Sequence, residues 1–125
     1  MADSGAEVRV TSEMKIHDDV PIDRLRTLVG DVSRGAATEG GHIRGHNFYL
    51  DEEAGILFAH EHYRDAGAMV KHLAEMDQGT VAALMSSVDV LDLRVYGPVN
   101  AELRDLLEGF GRVRTFDHVS GFTHI

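Results

Sequence analysis

Apolar and polar residues alternate along residues 7–17, and this period of two predicts a strand with one buried face. In residues 22–36 the apolar positions instead recur at steps of three and four, which predicts an amphipathic helix. The aspartates and the proline at 18–21 favour the first turn of that helix, and the glycines at 40–41 end it. The chain therefore begins with a strand and a helix that both bury one face.

The same two periods predict the remaining elements. In chain order these are strands at 42–50 and 56–63 joined by a hairpin turn at 51–55, a helix capped by Asp65, a short helical piece at 80–85, a strand at 88–95, a helix capped by Asn100 and a last strand at 112–123. The order βαββαβ is that of a ferredoxin-like α+β domain, with an antiparallel sheet and helices on one face. We expect residues 7–125 to form one domain, in which 7–96 are the core and 97–125 a C-terminal extension with a helix and a strand. Residues 1–6 are small and polar, and we expect them to be disordered.

This layout leaves one face of the sheet without helices. A chain of this size would then expose a large apolar surface, and pairing with a second copy is the usual way to bury it. The pattern therefore predicts a homodimer.

Composition and charge narrow the function. The 125 residues include no cysteine, which excludes disulfides, thiolate metal sites and cysteine nucleophiles. A net charge of −9 opposes binding to nucleic acid and to anionic lipid. Because the sequence shows neither a signal peptide nor an apolar run long enough to span a bilayer, we expect a soluble cytoplasmic protein without a membrane partner.

The segment from 61 to 72 has the pattern E-x-Y-x-D-x-x-A-x-x-x-H across the end of a predicted strand and the start of a helix. This pattern resembles the strand-to-helix signature of the antibiotic biosynthesis monooxygenase family. Upstream, residues 39–45 are similar to the family's E-x-G-x-x-x-[YF] entry to the second strand, although Gly45 stands where an aromatic residue is usual. These matches and the element order cover roughly residues 7–96.

The resemblance implies a dimeric α/β barrel in which each protomer has a small-molecule pocket between its sheet and its helices. The family includes cofactor-free oxygenases of aromatic polyketides, quinol oxygenases, haem-degrading enzymes and an isomerase. Its haem-degrading members and some polyketide-oxidising ones have a tryptophan at the position of Tyr63. This chain has no tryptophan, so chemistry that depends on that indole is not expected.

His72 lies within an apolar helical stripe, four residues after Ala68 and four before Met76. A buried imidazole must be hydrogen-bonded or face a cavity, because an unsatisfied buried polar group costs about 1–3 kcal/mol. Its functional interpretation is a general base toward a phenol or quinol proton, since an ordinary histidine titrates near neutral pH. The structural alternative is a core histidine bonded to the sheet.

Glu61 and Tyr63 alternate with His62 and therefore share one strand face, predicted to be the face beneath His72. Tyr63 is a candidate to stack on or hydrogen-bond an aromatic ligand, and Glu61 a candidate to orient the His72 imidazole. Each has a structural alternative, as a core tyrosine and as a carboxylate that holds the helix.

Other histidines form a weaker candidate site. His60 and His62 share one face of a strand, and His42 and His46 share one face of the neighbouring strand. If the hairpin register brings them together, these imidazoles are suitable ligands for Zn, Ni, Cu or Fe. A solvated or interface position is the favoured interpretation, because H-x-H on a strand is a weak motif.

The favoured function is a cofactor-independent monooxygenase of a small aromatic, phenolic or quinol molecule. In this hypothesis His72 takes the phenolic proton, Tyr63 positions the ring and Glu61 orients the base. An oxygen-independent cyclase or isomerase that uses the same pocket remains an alternative. A dimeric barrel that binds a ligand or haem without catalysis is the other.

Overall fold

The structure, a computed structural model, describes residues 2–3 and 5–124. Within that part of the chain the elements are β1 (Ala2–Asp3), β2 (Val8–Ile16), α1 (Ile22–Glu39), β3 (Ile43–Asp51), β4 (Ile56–Tyr63), α2 (Ala66–Glu75), α3 (Gln78–Met85), β5 (Val88–Tyr96), α4 (Ala101–Glu108), β6 (Arg114–Phe116) and β7 (Phe122–Thr123). The predicted βαββαβ core is confirmed. None of the helices described has the length and apolar character needed to cross a bilayer.

The main sheet has five strands in the order β3-β4-β2-β5-β6. Each of the first four is antiparallel to its neighbours among them, whereas β6 pairs parallel with β5. Helix α1 connects β2 to β3, and α2 with α3 connects β4 to β5; neither pair of strands is adjacent in the sheet. These connections cross over the sheet, and the helices pack on one of its faces. This confirms the predicted α+β, ferredoxin-like class.

The helices begin at the cap residues that local chemistry favours. Asp65 Oδ1 accepts the Ala68 N–H at 2.8 Å, and Asn100 Oδ1 accepts the Leu103 N–H at 2.8 Å, as the sequence predicts. Asp77 caps α3 in the same way, so that this helix begins two residues before the predicted position. Each cap satisfies a backbone donor that the helix itself leaves unpaired.

The core under the helices consists of two clusters of buried side chains rather than one. The first contains Val8, Val10, Tyr63, Ala66, Ala68, Met69, Val95, Leu103 and Leu107. The second contains Met14, Ile16, Leu25, Leu28, Leu57, Ala59, Leu84 and Val88. Between Val10 and Met14 on β2 lies Ser12, whose cross-strand partner is Ala59. Because both of these side chains are small, the sheet leaves room for a cavity where the two clusters meet.

The opposite face of the sheet differs from the expected apolar surface. Along β2 it presents polar side chains that alternate with the core positions, namely Arg9, Thr11, Glu13 and Lys15. Large exposed apolar side chains on this face include Tyr49, which is 54% exposed, and Phe116. The premise of an apolar sheet face is therefore wrong for β2, and the homodimer stays a prediction.

The termini are arranged differently from the sequence prediction. The single strand expected over residues 112–123 is divided into β6 and β7, with the chain turning between them at Gly121, whose φ is +146°. β7 pairs with β1, so residues 2–3 lie beside a strand from the other end of the chain, within the segment 1–6 that the sequence predicts to be disordered. Residues 1 and 4 of that segment lie outside the described residues.

A buried carboxylate ties this terminal region to the sheet. The Glu7 side chain is 3% exposed, and its oxygens lie 2.9 Å from Arg44 Nη1 and 3.0 Å from His62 Nε2. The Thr123 hydroxyl donates to Glu7 Oε2 at 3.1 Å. Burial alone raises the pKa of this carboxyl, but hydrogen bonds from His62 and Thr123, with the charges of His62 and Arg9, together lower it below its ordinary value of 4.5.

This lowered pKa predicts how stability depends on pH. Because the folded state holds the Glu7 carboxylate more strongly than the unfolded chain does, its contribution is complete above pH 4.5 and is lost as the pH falls through the lowered pKa. In wild type, we expect the free energy of unfolding, measured by urea denaturation, to fall from about pH 6 to pH 3 partly because Glu7 becomes protonated. Glu7→Gln has no carboxylate to protonate, so its free energy of unfolding should fall less over the same range. Glu53 is exposed, so Glu53→Gln is the control, and its free energy of unfolding should change with pH as steeply as that of wild type. Equal slopes for Glu7→Gln and wild type contradict the assignment.

Candidate functional site

A cavity of about 350 Å³ lies between the sheet and the helices, where the two core clusters meet. Most of its wall is apolar: Val10, Met14, Val32, Phe48, Ala59, Met69, Leu73, Met76, Val81, Leu84, Met85, Val90, Leu93, Leu107 and Phe110. Residues of β2, β3, β4 and β5 form the floor, and residues of all four helices or their ends form the roof. The volume is at the small end of the range for ligand pockets.

Three polar side chains meet in the cavity wall. His46 of β3 and Glu61 of β4 are cross-strand partners, so both project toward the helices from adjacent strands. His46 Nε2 lies 3.6 Å from Glu61 Oε1. His72 of α2 lies above them, with its ring centroid 5.6 Å from that of His46. The side chains are 8%, 17% and 7% exposed for His46, Glu61 and His72.

The partner of His72 is Glu39 and not Glu61, the carboxylate expected from the sequence. Glu39 is the last residue of α1, and its Oε2 lies 2.8 Å from His72 Nδ1. Both side chains are more than nine-tenths buried. An imidazole that donates its Nδ1–H to a carboxylate keeps the lone pair of Nε2 available, and the carboxylate stabilises the imidazolium when that lone pair takes a proton. The sequence motif that contains Glu39 was interpreted only as the entry to the second strand, so its role was missed.

Tyr63 lies behind the cavity rather than in its wall. Its side chain is 0% exposed, and its hydroxyl donates a short hydrogen bond to Glu61 Oε1. Burial, followed by the charge of Glu61 and this hydrogen bond, raises the pKa of the phenol far above its ordinary value. Tyr63 therefore stays a neutral donor that holds Glu61 in place, and this placement does not fit the expected stacking on a ligand.

His46 also lines the cavity, although the sequence predicted it only as a weak candidate metal ligand. Burial lowers the pKa of its imidazole, and the Glu61 carboxylate only partly opposes that effect. His46 is therefore mainly neutral at pH 7. The available signal was the alternation of apolar and polar residues along residues 42–50, which places His46 on the same strand face as Phe48.

The four histidines proposed as a metal group do not converge. The register pairs His46 with Glu61 on the helical side, whereas His60 is exposed on the other face and its ring lies 5.1 Å from that of Tyr49. His62 contacts Glu7 on that same outer face. His42 precedes β3 and lies 3.8 Å from Glu39. The sheet itself thus separates His60 and His62 from His46.

The described residues that line the cavity include no lysine or arginine. The polar groups that remain are two imidazoles, a carboxylate and the Ser12 hydroxyl, with Glu39 and Tyr63 directly behind them. Such a set is suited to taking or giving a proton inside an apolar chamber. It does not contain the nucleophile and base pairing that hydrolysis by a serine requires.

Comparison with solved structures gives the same fold. MupZ from Pseudomonas fluorescens matches with a TM-score of 0.71 and 17% identity over 95% of this chain and 95% of that chain, which includes most of residues 97–125. SnoaB, a cofactor-independent oxygenase from Streptomyces nogalater, matches with a TM-score of 0.62 and 13% identity over 77% of this chain and 96% of that chain. A protein from Chloroflexus aurantiacus that bears the name antibiotic biosynthesis monooxygenase has a TM-score of 0.58 and 11% identity over 77% and 96%.

No family model and no curated protein matches the sequence. Since the structural matches are below 25% identity, they identify the architecture and leave the reaction open.

Proposed function

We propose that this chain, which has the fold of the antibiotic biosynthesis monooxygenases, is an enzyme that oxidises a small phenolic or quinol molecule with molecular oxygen and without a bound cofactor. The single observation that supports this most is the buried pair of His72 and Glu39 at the wall of an apolar cavity. A base of this kind, itself buried at the wall of a mainly apolar pocket, is what deprotonation of an aromatic hydroxyl requires.

In this proposal the substrate ring lies among the apolar side chains and its hydroxyl points to His72 Nε2. His72 accepts the hydroxyl proton, and the Glu39 carboxylate at Nδ1 stabilises the resulting imidazolium. The phenolate is electron-rich and can pass an electron to oxygen, which the neutral phenol does not readily do. Acid–base catalysis of this type typically contributes about 10²–10⁴-fold to the rate.

Glu61 and His46 supply a second polar contact at the same end of the cavity. Glu61 is fixed by the Tyr63 hydroxyl, and His46 is kept mainly neutral by burial. A second hydroxyl or a carbonyl on the substrate would find an acceptor in Glu61 and a donor in His46. Under this proposal Tyr63 is a positioning residue that acts through Glu61.

Oxygen consumption tests the proposal directly. Fused-ring phenols and quinols of graded size are mixed with the metal-free protein, and oxygen uptake is followed together with loss of substrate absorbance. We expect uptake of about one oxygen molecule per substrate, since one atom enters the product and the other leaves as water. Competitive inhibition by an unreactive methyl ether of the same compound checks that the hydroxyl proton is needed.

The alternatives give different results in the same assay. Product formation without oxygen uptake indicates a cyclase or isomerase that uses only the acid–base pair. Saturable binding of every ligand without turnover indicates a binding barrel, and a Soret shift on haem titration identifies a haem-binding one. Either result contradicts the oxygenase proposal.

A further inference from the structure

The polar end of the cavity has the composition of a metal site. His46, Glu61 and His72 each offer one ligand atom, and these atoms all lie within 4.8 Å of one another. We propose that these two imidazoles and one carboxylate bind a single divalent transition-metal ion, such as Zn²⁺, Co²⁺ or Fe²⁺, with its open coordination positions toward the apolar cavity. Sets of two histidines and one carboxylate are established ligands for such ions.

The ligands already have partners of the kind that orient metal-binding side chains. His72 has Nδ1 against Glu39, at 2.8 Å, so Nε2 is the nitrogen available to an ion. A carboxylate on the far nitrogen of a ligating histidine fixes its ring and raises its basicity. The Tyr63 hydroxyl holds Glu61 by one oxygen in the same way.

Charge supports a cation at this position. The carboxylates of Glu39 and Glu61 have only 8% and 17% of their surface exposed, and among the described residues no lysine or arginine lines the cavity. Burying carboxylates without a cation is costly. A divalent ion at this place would balance both charges, one through direct ligation and the other through the His72 ring.

The geometry needs only a small adjustment. Ligand atoms about 2.0–2.2 Å from an ion are roughly 3–3.5 Å apart in a tetrahedral arrangement. His46 Nε2 and Glu61 Oε1 are already 3.6 Å apart, and the His72 ligand atom lies within 4.8 Å of both residues' ligand atoms. With three protein ligands, at least one coordination position is left for water or another small ligand.

Metal binding at this site does not rest on the proposed function, but it has a consequence for that function. The Nε2 lone pair of His72 cannot take a substrate proton and bind an ion at the same time. We therefore expect the ion to inhibit the metal-free oxidation, and its removal by a chelator to restore it. Titration of the resting protein, without substrate, keeps the two proposals separable.

The experiment is a titration of tag-free protein, first treated with a chelator, with Co²⁺, followed by visible absorption. We expect one Co²⁺ per chain with a tetrahedral or five-coordinate spectrum, displaced by Zn²⁺. His46→Gln and Glu61→Gln each remove a ligand and should abolish the spectrum, while circular dichroism confirms that each variant is folded. Glu39→Gln should weaken binding by about 10–100-fold, the usual effect of losing an outer partner.

Two control variants test whether the ion binds at His46, Glu61 and His72 rather than at another group. His60→Gln, on the exposed outer face, should leave the titration unchanged. His42→Gln tests the neighbouring group formed by Glu39, His42 and Glu75, whose ligand atoms also lie within 4.8 Å of one another. Loss of binding in His42→Gln with retention in His46→Gln, or no Co²⁺ spectrum in the wild type, overturns the proposal. Failure of the oxidation assay alone leaves it intact.

Discussion

Replacing His72 with glutamine is expected to lower kcat/KM by about 10²–10⁴-fold for any substrate that the oxygen-uptake assay identifies. Glutamine retains a polar side chain of similar reach, so Glu39 keeps a donor and the core is not left with an unpaired buried carboxylate. What is lost is the nitrogen lone pair that accepts the proton. The measurement is steady-state oxygen uptake by variant and wild type, with thermal unfolding as a check on folding.

Two further variants show whether the loss belongs to the base. His60→Gln replaces an exposed histidine on the other sheet face and should keep wild-type turnover. Glu39→Gln keeps a hydrogen-bond partner for His72 but removes the charge that stabilises the imidazolium, so its loss should be smaller than that of His72→Gln. Full turnover by His72→Gln would show that another group takes the proton.

Replacing Gly97 with alanine is expected to lower the free energy of unfolding by about 3 kcal/mol or more. Gly97 directly follows β5 and has a φ of +112°, a conformation that residues with a side chain rarely adopt. A Cβ built there would lie 2.2 Å from the carbonyl oxygen of Glu7, which is backbone and cannot rotate away. The substitution therefore disturbs the pairing of β2 with β5 near Glu7. This place is next to the hydrogen bond from the Gly97 N–H to the Phe116 carbonyl.

Gly111 offers a matched control for this substitution. Its φ is +85°, but an added Cβ there would meet no atom within 4 Å. Gly111→Ala should thus cost only the backbone strain, about 1–2 kcal/mol. Urea denaturation measures the free energy of unfolding of both variants. In thermal unfolding, each 1 kcal/mol lost should lower Tm by about 3–5 °C for a chain of this length. Equal losses in the two variants would mean that the close approach of Gly97 to Glu7 contributes nothing.

The helices and the long strands were predictable because their signals are local. A strand with one buried face repeats every two residues and a helix every 3.6, so β4 was predicted with its observed bounds and α2 with its cap Asp65. The order of these elements was enough to identify the ferredoxin-like arrangement, since few topologies accommodate it. The short strands β6 and β7 were not separated, because three or two residues are too few to show a period.

The candidate site was predictable only in part. The sequence placed His72 within an apolar stripe and Glu61 and Tyr63 on one strand face, and the structure has all three beneath or on α2. It did not reveal that Tyr63 is buried behind Glu61, because alternation gives the face of a residue and not its depth. The depth depends on which side chains of the helices pack above it.

By itself, the sequence determined the α+β class, the long helices and strands, and the shared strand face of Glu61 and Tyr63. Only the tertiary structure decided that Glu39 pairs with His72, 33 residues away, and that His46 lies opposite Glu61. The first contact depends on where α1 ends relative to α2. The second depends on the strand register beside an irregularity between Ile43 and Gly45. Such contacts join distant segments and are determined by packing of the whole domain, which no local period encodes.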